Sequence, residues 1–324
     1  MRFAAWTEHD TTRVGLLDGE TLYALPPGTG LVDLLADAPT SLEVAAAQAR
    51  AGGDTRSLPD VALTAPLRPP AVRDFIAFEQ HIEGMALGRG PDATGDPGLY
   101  EIPVFYFSNP NGVVGPHDDV PVPPGCELFD FELEVAAVIG RAGRDLTPEQ
   151  AREHIAGYLV FNDWSARDTQ LAEMALGFGP VKGKDSATTL GPWLVTADEL
   201  EPHRRDDRFD LRMTVSVNDV EIGSDTLANM AWRFEDLVAY ASRGAWVRPG
   251  DVLGSGTCGN GCLMELWNRR GSRNDPPPLA IGDVVEMAVQ GIGTIRNRVV
   301  AGADLRPIPP ARRASDVRAG SSAG

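Results

Sequence analysis

Residues 129–140, FDFELEVAAVIG, decide the fold class of the main part of this chain. Apolar and polar residues alternate at first, and the stretch then becomes continuously apolar over 135–139, as a strand does when it enters a core. Residues two apart on a strand point to the same side, so Glu132 and Glu134 emerge from one face and their apolar neighbours from the other. The stretch therefore predicts a β-strand that carries two adjacent carboxylates.

The two glutamates allow two interpretations. An acidic pair that faces solvent at a sheet edge needs no partner. Two buried like charges, in contrast, repel each other unless a cation neutralises them, and the apolar run that follows favours burial. Oxygen ligands of this kind suit Mg²⁺, Ca²⁺ or Mn²⁺ better than zinc. We expect a bound divalent cation, Mg²⁺ in the first place, with Ca²⁺ or Mn²⁺ as alternatives.

Two aspartates in other apolar stretches are candidates for the same site. Asp163 follows the apolar run 158–161 in YLVFNDWSARD, where a strand leaves the core, and Asp74 lies in VRDFIAF. Asp163 is also compatible with a turn or cap residue, which is the interpretation we give to Asp168. Neither aspartate predicts a site by itself.

The N-terminal segment has the pattern of a small separate unit. Asp18-Gly19 between two apolar runs predicts a hairpin, and 41–50 predicts a helix capped by Ser41 and ended by Gly52-Gly53. Three prolines then mark a junction between Thr64 and Ala71. We expect three parts: a small α+β domain over 1–66, a larger catalytic domain over 67–309 and a flexible tail over 310–324.

The larger part has mostly strand signals. A capping box at 147–150 predicts a helix to about Gly157, and apolar residues at helical spacing over 226–241 predict a core helix. Gly250-Asp251 and Gly282-Asp283 are turns that each lead into an apolar strand. No G-x-G-x-x-G follows a strand, so a Rossmann domain is not supported. The fold class that we expect is mainly β with some α.

The composition of the chain excludes several classes of partner. Its 324 residues contain 46 acidic and 29 basic side chains, and a net charge of −17 repels nucleic acid. No run reaches the roughly 18 to 20 apolar residues that cross a bilayer, and the start has no signal-peptide h-region, so we expect a cytoplasmic protein without a membrane partner. Three scattered cysteines are too few for a disulfide framework. Cys258 and Cys262 could form half of a zinc site, but no second ligand pair lies near them, and we expect ordinary small buried residues.

Successive blocks of the sequence resemble the fumarylacetoacetate hydrolase family, and in particular its longer, two-domain members. The resemblance covers roughly 72–300 and implies a mixed β-sandwich roll, a homodimer, and a metal held by Asp74, Glu132, Glu134 and Asp163. The blocks, which come in the family's order and with similar spacing, are FDFELEVAAVIG (129–140), GYLVFNDWSARDTQ (157–170), KGKDSATTLGPW (182–193), GDVLGSGTCGNG (250–261) and LAIGDVVEMAVQGIGTIRN (279–297).

The resemblance also implies the reacting groups. A lone histidine is usually packed or solvated, and we expect the other four at the surface. His81, however, lies in DFIAFEQH, which is similar to the family's segment with a metal aspartate and then the catalytic histidine. It would act as general base for water, with Glu265 orienting it. Lys184 would stabilise developing oxyanion charge, or else simply pair with acids. The residues expected around the substrate are Tyr106, Arg167, Gln170, Thr188 and Thr257, with Arg167 forking onto a carboxylate.

Two departures from the family pattern concern the substrate. Ile76 stands where the family has a second tyrosine, and the arginine expected after the histidine has no clean counterpart, since Arg89 is out of register. We expect a metal-dependent hydrolase that cleaves a C–C bond in a β-diketone or an acylpyruvate- or fumarylacetoacetate-like keto acid. The alternatives are a keto-acid decarboxylase, isomerase or hydratase that uses the same site, and a non-enzymatic metal-binding or assembly protein.

Overall fold

The computed structural model describes residues 1–313 and confirms a mainly β protein with some helix. The strands are β1 (Arg2–Glu8), β2 (Thr11–Asp18), β3 (Thr21–Ala24), β4 (Thr55–Ser57), β5 (Ala62–Thr64), β6 (Val72–Phe75), β7 (Phe105–Ser108), β8 (Val113–Val114), β9 (Val120–Pro121), β10 (Phe129–Asp130), β11 (Leu133–Ile139), β12 (Gly143–Arg144), β13 (Ile155–Asp163), β14 (Ser165–Ala166), β15 (Thr188–Thr196), β16 (Arg204–Arg205), β17 (Arg208–Phe209), β18 (Arg212–Val217), β19 (Val220–Thr226), β20 (Trp246–Val247), β21 (Val252–Gly254), β22 (Val284–Val289) and β23 (Gly293–Val300). The α-helices are α1 (Leu31–Leu35), α2 (Thr40–Gly52), α3 (Glu79–Ala86), α4 (Pro148–Ala151), α5 (Arg167–Ala175), α6 (Ala197–Leu200), α7 (Phe234–Ala241) and α8 (Leu263–Arg270).

Two mixed sheets organise the chain. The larger has 12 strands in the order β4-β3-β2-β1-β15-β13-β11-β21-β6-β7, with β5 paired to β1 and β8 to β15. Most pairs are antiparallel, but β21 runs parallel to β6 and β15 runs parallel to β8. The smaller has 5 strands in the order β19-β18-β22-β23-β9. This arrangement agrees with the expected β-sandwich roll.

The central strands of the large sheet are buried on both faces. Val135 of β11 belongs to the same core as Met287 of the second sheet. Val138 belongs to a second core on the opposite face, together with Leu42 of α2. Strands covered on both sides are continuously apolar rather than alternating, which explains the run over 135–139.

The N-terminal segment extends the large sheet and covers part of it. β1 pairs with both β2 and β15, and the hairpin predicted at Asp18-Gly19 is confirmed, with Gly19 at φ 59°. Helix α2 ends as predicted, with Gly53 in the left-handed conformation. Its start was predicted wrongly, because Pro39 already begins the turn and Ser41 donates to the carbonyl of Leu34 instead of capping.

Two helices are shorter than predicted. The capping box forms at Thr147, but α4 ends at Ala151 and β13 begins at Ile155, because that segment is required as a strand between β11 and β15. The apolar stripe over 226–241 is buried as expected, yet only α7 is an α-helix within it. Tertiary pairing overrides local helix signals at both places.

Two predicted turns and part of the predicted tail lie within the described residues. Gly250 and Gly282 have φ of 87° and 99°, and each turn leads into a strand as expected. Residues 301–313 contain neither helix nor strand, and the rest of the predicted tail, 314–324, lies outside the described residues. None of the helices formed by residues 1–313 combines the length and the apolar character that crossing a membrane requires.

Candidate metal centre and active site

Neighbouring strands of the large sheet bring the predicted acidic residues together. The sheet order places β13, β11, β21, β6 and β7 side by side. Asp163 ends β13, Glu134 lies near the start of β11, and Asp74 lies on β6 opposite Gly254 of β21. Residues far apart along the chain therefore form one row across the sheet.

The acidic side chains form a buried cluster. Carboxylate oxygens of Asp74, Glu132 and Glu134 lie within 4.8 Å of one another, and the three residues are at most 5% exposed. The hydroxyl of Tyr106, which lies opposite Asp74 on β7, is 2.6 Å from Asp74 Oδ2 and also contacts Asp163 Oδ2. All four carboxylates predicted as metal ligands are thus brought together.

The cluster has more negative charge than its surroundings neutralise. Asp74 Oδ1, Glu134 Oε1 and Asp163 Oδ1 are buried and have no hydrogen-bond partner within residues 1–313. Burial and the nearby Asp163 raise the pKa of Asp74 to about 7. Burial also raises the pKa of Asp163, and it raises that of Glu134 well above its ordinary value. Buried carboxylate oxygens without partners are the ligands that Mg²⁺, Ca²⁺ and Mn²⁺ prefer, so the residues present fit a divalent cation.

Two glycines allow the backbone to approach these carboxylates. A Cβ atom on Gly254 would lie 2.5 Å from Asp74 Oδ1 and 2.9 Å from Glu134 Oε2. The N–H of Gly256 donates to Glu134 Oε2 at 2.9 Å. The sequence pattern marked this segment as part of a family block but did not indicate that its glycines make room for the acidic pair.

Glu132 has two buried cationic neighbours. Lys184 Nζ lies 2.6 Å from Glu132 Oε2 and 2.7 Å from Asp163 Oδ2. Arg167 Nη2 lies 2.7 Å from Glu132 Oε1. Although burial opposes ionisation, Lys184 and Arg167 hold the pKa of Glu132 well below its ordinary value. Glu132 is therefore the charged member of the cluster even without a metal.

The guanidinium of Arg167 is buried against protein side chains, so a substrate carboxylate would not reach it. Its side chain is 1% exposed, with Nε donating to Asp130 Oδ2 at 2.7 Å and Nη1 donating to Gln170 Oε1 at 2.9 Å. Asp130 also accepts the N–H groups of Leu263 and Met264 at the start of α8. Sequence reasoning missed Asp130, although the acids at 130, 132 and 134 follow the same period of two. The guanidinium thus joins α5 to the acidic segment, and Asp130 in turn joins that segment to α8.

His81 and Glu265 form a pair between two helices. His81 Nδ1 on α3 lies 3.0 Å from Glu265 Oε2 on α8. Glu265 is fully buried and also accepts from the N–H of Asn260 at 3.0 Å and from Arg269 Nε at 2.8 Å. Despite burial, the hydrogen bond from His81 lowers the pKa of Glu265. The carboxylate is charged and fixed, so it can orient the imidazole.

The remaining predicted substrate contacts, Thr188, Thr257 and Gln170, are all buried. Thr188 on β15 pairs with Asp163, and its hydroxyl lies 3.3 Å from that of Ser108. Thr257, in the loop after β21, and Gln170, on α5, are both buried.

The other histidines mostly lie outside this region, as expected. His9 and His117 are exposed and His203 is half-buried. The prediction was wrong for His154, which is buried because the chain enters β13 directly after it, and its Nδ1 lies 2.9 Å from the carbonyl oxygen of Arg141.

Comparisons with known proteins agree with this architecture. Residues 71–300 match the family model of the fumarylacetoacetate (FAA) hydrolase C-terminal region. The chain is 31% identical over 244 residues to a fumarylacetoacetase from Arabidopsis thaliana, covering 60% of this chain and 58% of that protein. It is 34% identical over 200 residues to the human mitochondrial oxaloacetate tautomerase FAHD2A, covering 61% and 59%. The matches thus span less than two thirds of either relative.

A solved structure extends the similarity over nearly the whole chain. A fumarylacetoacetate hydrolase from psychrophilic Exiguobacterium antarcticum superposes with a TM-score of 0.71 at 27% identity, covering 93% of this chain and 100% of that one. Its coverage includes the N-terminal segment outside the family model. Because the family model matches well over half of the residues, this chain belongs to the fumarylacetoacetate hydrolase family.

Proposed function

We propose that this protein is a metal-dependent hydrolase that cleaves a C–C bond in an acylpyruvate or a related β-diketo acid. The observation that carries the proposal is the position of the His81–Glu265 pair. A ligand atom of His81 lies within 4.8 Å of a Glu132 oxygen, so the oriented imidazole borders the carboxylate cluster. Hydrolysis requires a base that activates water beside the cation site, and the oriented imidazole of His81 can take this role.

The cation would be held by Asp74, Glu132, Glu134 and Asp163, with Mg²⁺ as the first candidate and Ca²⁺ or Mn²⁺ as alternatives. When bound, it supplies Lewis-acid polarisation of the substrate's keto oxygens. Lys184 already neutralises part of the negative charge, since two of its three N–H donors face Glu132 and Asp163. Its third donor remains for oxyanion charge that develops on the substrate.

His81 performs the proton transfers in this proposal. Because Nδ1 donates to Glu265, Nε2 is the nitrogen that takes a proton from water. The resulting hydroxide adds to the acyl carbonyl, the C–C bond breaks, and the acyl part leaves as a carboxylic acid. The other fragment takes up the proton from Nε2 and becomes pyruvate. Glu265 stabilises the transient imidazolium without itself being protonated.

The substrate contacts follow from the same geometry. Tyr106 contacts the carboxylates of Asp74 and Asp163. Thr188, Thr257 and Gln170 remain proposed residues of the substrate pocket wall. Arg167, whose fork lies on Asp130 and Glu132, becomes a positioning residue that holds Glu132. Ile76 is half-buried and apolar where the family has a second tyrosine, which favours substrates with an apolar acyl group.

Hydrolysis in ¹⁸O-labelled water tests the proposal. We expect an acylpyruvate and Mg²⁺ to give pyruvate and a carboxylic acid that carries one label, and a chelator to stop the reaction. His81→Ala should lose most turnover, whereas His117→Ala, which removes an exposed histidine, should keep it. Full turnover by His81→Ala, or a carboxylic acid without label, would contradict the assigned role.

A second candidate is keto–enol isomerisation of a keto acid. It is favoured by the 34% identity to an oxaloacetate tautomerase, and it uses the same cation site. It predicts a product of unchanged mass, whereas decarboxylation would release CO₂ and hydration would add one water without cleavage. Mass analysis of the same reaction mixture distinguishes hydrolysis, decarboxylation and hydration, and a change in the enol absorbance without a change in mass identifies isomerisation.

A further inference from the structure

A second group of possible metal ligands lies beside the carboxylate cluster. One ligand atom each from His81, Glu132 and Cys262 lies within 4.8 Å of the other two. All three residues are buried, and Cys262 is completely so. The group shares Glu132 with the carboxylate cluster but otherwise offers imidazole nitrogen and thiol sulfur. These softer donors suit zinc rather than Mg²⁺.

The three residues are held by elements that are fixed to one another. Cys262 is the N-cap residue of α8, and its Sγ accepts the N–H of Glu265 at 3.4 Å. The N–H of Leu133, directly after Glu132, donates to the carbonyl of Gly261 at 2.9 Å. A Cβ atom on Gly84 of α3 would lie 2.4 Å from Glu265 Cγ, so α3 and α8 are in close contact. These contacts hold the three residues close together in the folded protein.

The partner of His81 adds an independent indication. Histidine ligands of metals characteristically donate their second ring N–H to a carboxylate, which fixes the ring and increases the basicity of the ligand nitrogen. Glu265 provides this contact to Nδ1 at 3.0 Å and is itself held by Asn260 and Arg269. Nε2 is then the nitrogen left available to bind a metal.

We propose that His81, Glu132 and Cys262 bind Zn²⁺ as an inhibitory site next to the catalytic cation. Zinc holds sulfur at about 2.3 Å and imidazole nitrogen at about 2.0 Å, so its ligand atoms lie about 3.5 Å apart. Atoms that lie within 4.8 Å of one another need to move closer by about 1.3 Å at most. On binding, the thiol releases its proton to the buffer and sulfur coordinates as thiolate.

Zinc bound here would block the reaction in two ways. It would occupy the nitrogen of His81 that accepts the proton of water, and it would compete for the carboxylate of Glu132. The inhibitory effect rests on the proposed function, whereas the binding does not. The two parts therefore need separate measurements.

Binding is tested with Co²⁺, a spectroscopic substitute for zinc, added to the full-length protein in excess Mg²⁺. We expect a thiolate-to-cobalt charge-transfer band in the near ultraviolet. Cys262→Ser should abolish it while keeping a favourable N-cap for α8. Cys258→Ser, which changes a buried cysteine outside the group, should leave it intact. A band that is absent from the parent, or that persists in Cys262→Ser, would overturn the site.

Inhibition is tested on the same proteins with Zn²⁺ in excess Mg²⁺. The parent and Cys258→Ser should be inhibited alike, and Cys262→Ser should need at least about tenfold more Zn²⁺, since even outer-shell changes weaken metal sites by about 10- to 100-fold. Equal sensitivity of all three would place the inhibition at the carboxylate cluster and refute the second part. If no protein turned over a keto acid, the proposed function would fail, and the cobalt spectrum would still decide the site.

Discussion

Removing the metal should make this protein less stable as the pH rises from about 4 to 7. The pKa of Asp74 is raised from 3.8 to about 7 by burial and by Asp163, and the pKa values of Glu134 and Asp163 are raised as well. The folded state therefore binds more protons than the unfolded state in this range, so stability falls as the pH rises. Glu132 has the opposite sign, but its lowered pKa confines its effect to pH values below about 5.

The size of the effect follows from the pKa of Asp74. A rise from 3.8 to about 7 corresponds to about 4 kcal/mol of lost stability once the carboxyl is fully ionised. About 2 kcal/mol of this falls between pH 5 and pH 7, which lowers Tm by about 3 °C for a chain of this length. A divalent cation stabilises the ionised carboxylates and should remove the trend, since it binds the folded state alone.

Thermal denaturation followed by circular dichroism measures this. Chelator-treated protein should show the fall in Tm between pH 5 and pH 7, and saturating Mg²⁺ should remove it. Asp74→Asn should reduce both the pH dependence of the metal-free protein and its stabilisation by Mg²⁺. Asp60→Asn, which changes an exposed aspartate, serves as the matched control and should behave as the parent does.

The opposite result is easily recognised. A metal-free Tm that stays constant or rises between pH 5 and pH 7 would mean that the cluster is not a set of uncompensated buried carboxyls. Equal stabilisation of the parent and Asp74→Asn by Mg²⁺ would place the cation elsewhere. Either finding would refute the reasoning from burial and orphaned oxygens to a cation site.

Three further changes test other parts of the site. Gly254→Ala places a Cβ atom 2.5 Å from Asp74 Oδ1 and should weaken Mg²⁺ binding about 10- to 100-fold in a calorimetric titration. Gly179→Ala is the control, because the added Cβ atom has no neighbour within 4 Å, and it should leave Mg²⁺ binding unchanged. Arg167→Met leaves buried acids unpaired and should cost about 3–5 kcal/mol in urea denaturation, against less than about 1 kcal/mol for Arg212→Met, which breaks an exposed ion pair. Glu265→Gln keeps the shape but loses the charge that stabilises the imidazolium, so kcat should fall at least about tenfold with little change in KM; unchanged kcat would contradict this.

The acidic strand could be predicted from the sequence because its signal is local. The alternation over 129–134 places Glu132 and Glu134 on one face, and the apolar run after it indicates burial. The structure has Phe131, Leu133 and Val135 in one core, as the period of two requires. The same period would have added Asp130, had it been followed one step further towards the N-terminus.

What could not be predicted depends on contacts between distant segments. Local signals favoured a long helix after Thr147, but the pairing of β13 with β11 and β15 ends it early. The positive charge of Arg167 suited a substrate carboxylate equally well, and only the three-dimensional structure shows that Asp130 and Glu132 occupy its fork. The proximity of Cys262 to His81 likewise arises from the packing of α3 against α8. The spacing of residues along the chain does not predict this packing.

The distribution of the protein's own cations determines where a divalent ion is needed. Because both faces of β11 are covered, Glu134 is fully buried, and Glu132, just before the strand, is only 5% exposed. Lys184 and Arg167 both lie against Glu132, so that carboxylate is neutralised without a metal. Within residues 1–313, Glu134 forms no ion pair and accepts the N–H of Gly256; like Asp74 and Asp163, it has one oxygen without a hydrogen-bond partner. The deficit of positive charge therefore lies on the side away from Arg167, and a divalent ion there lets the sheet keep its acids buried and ionised.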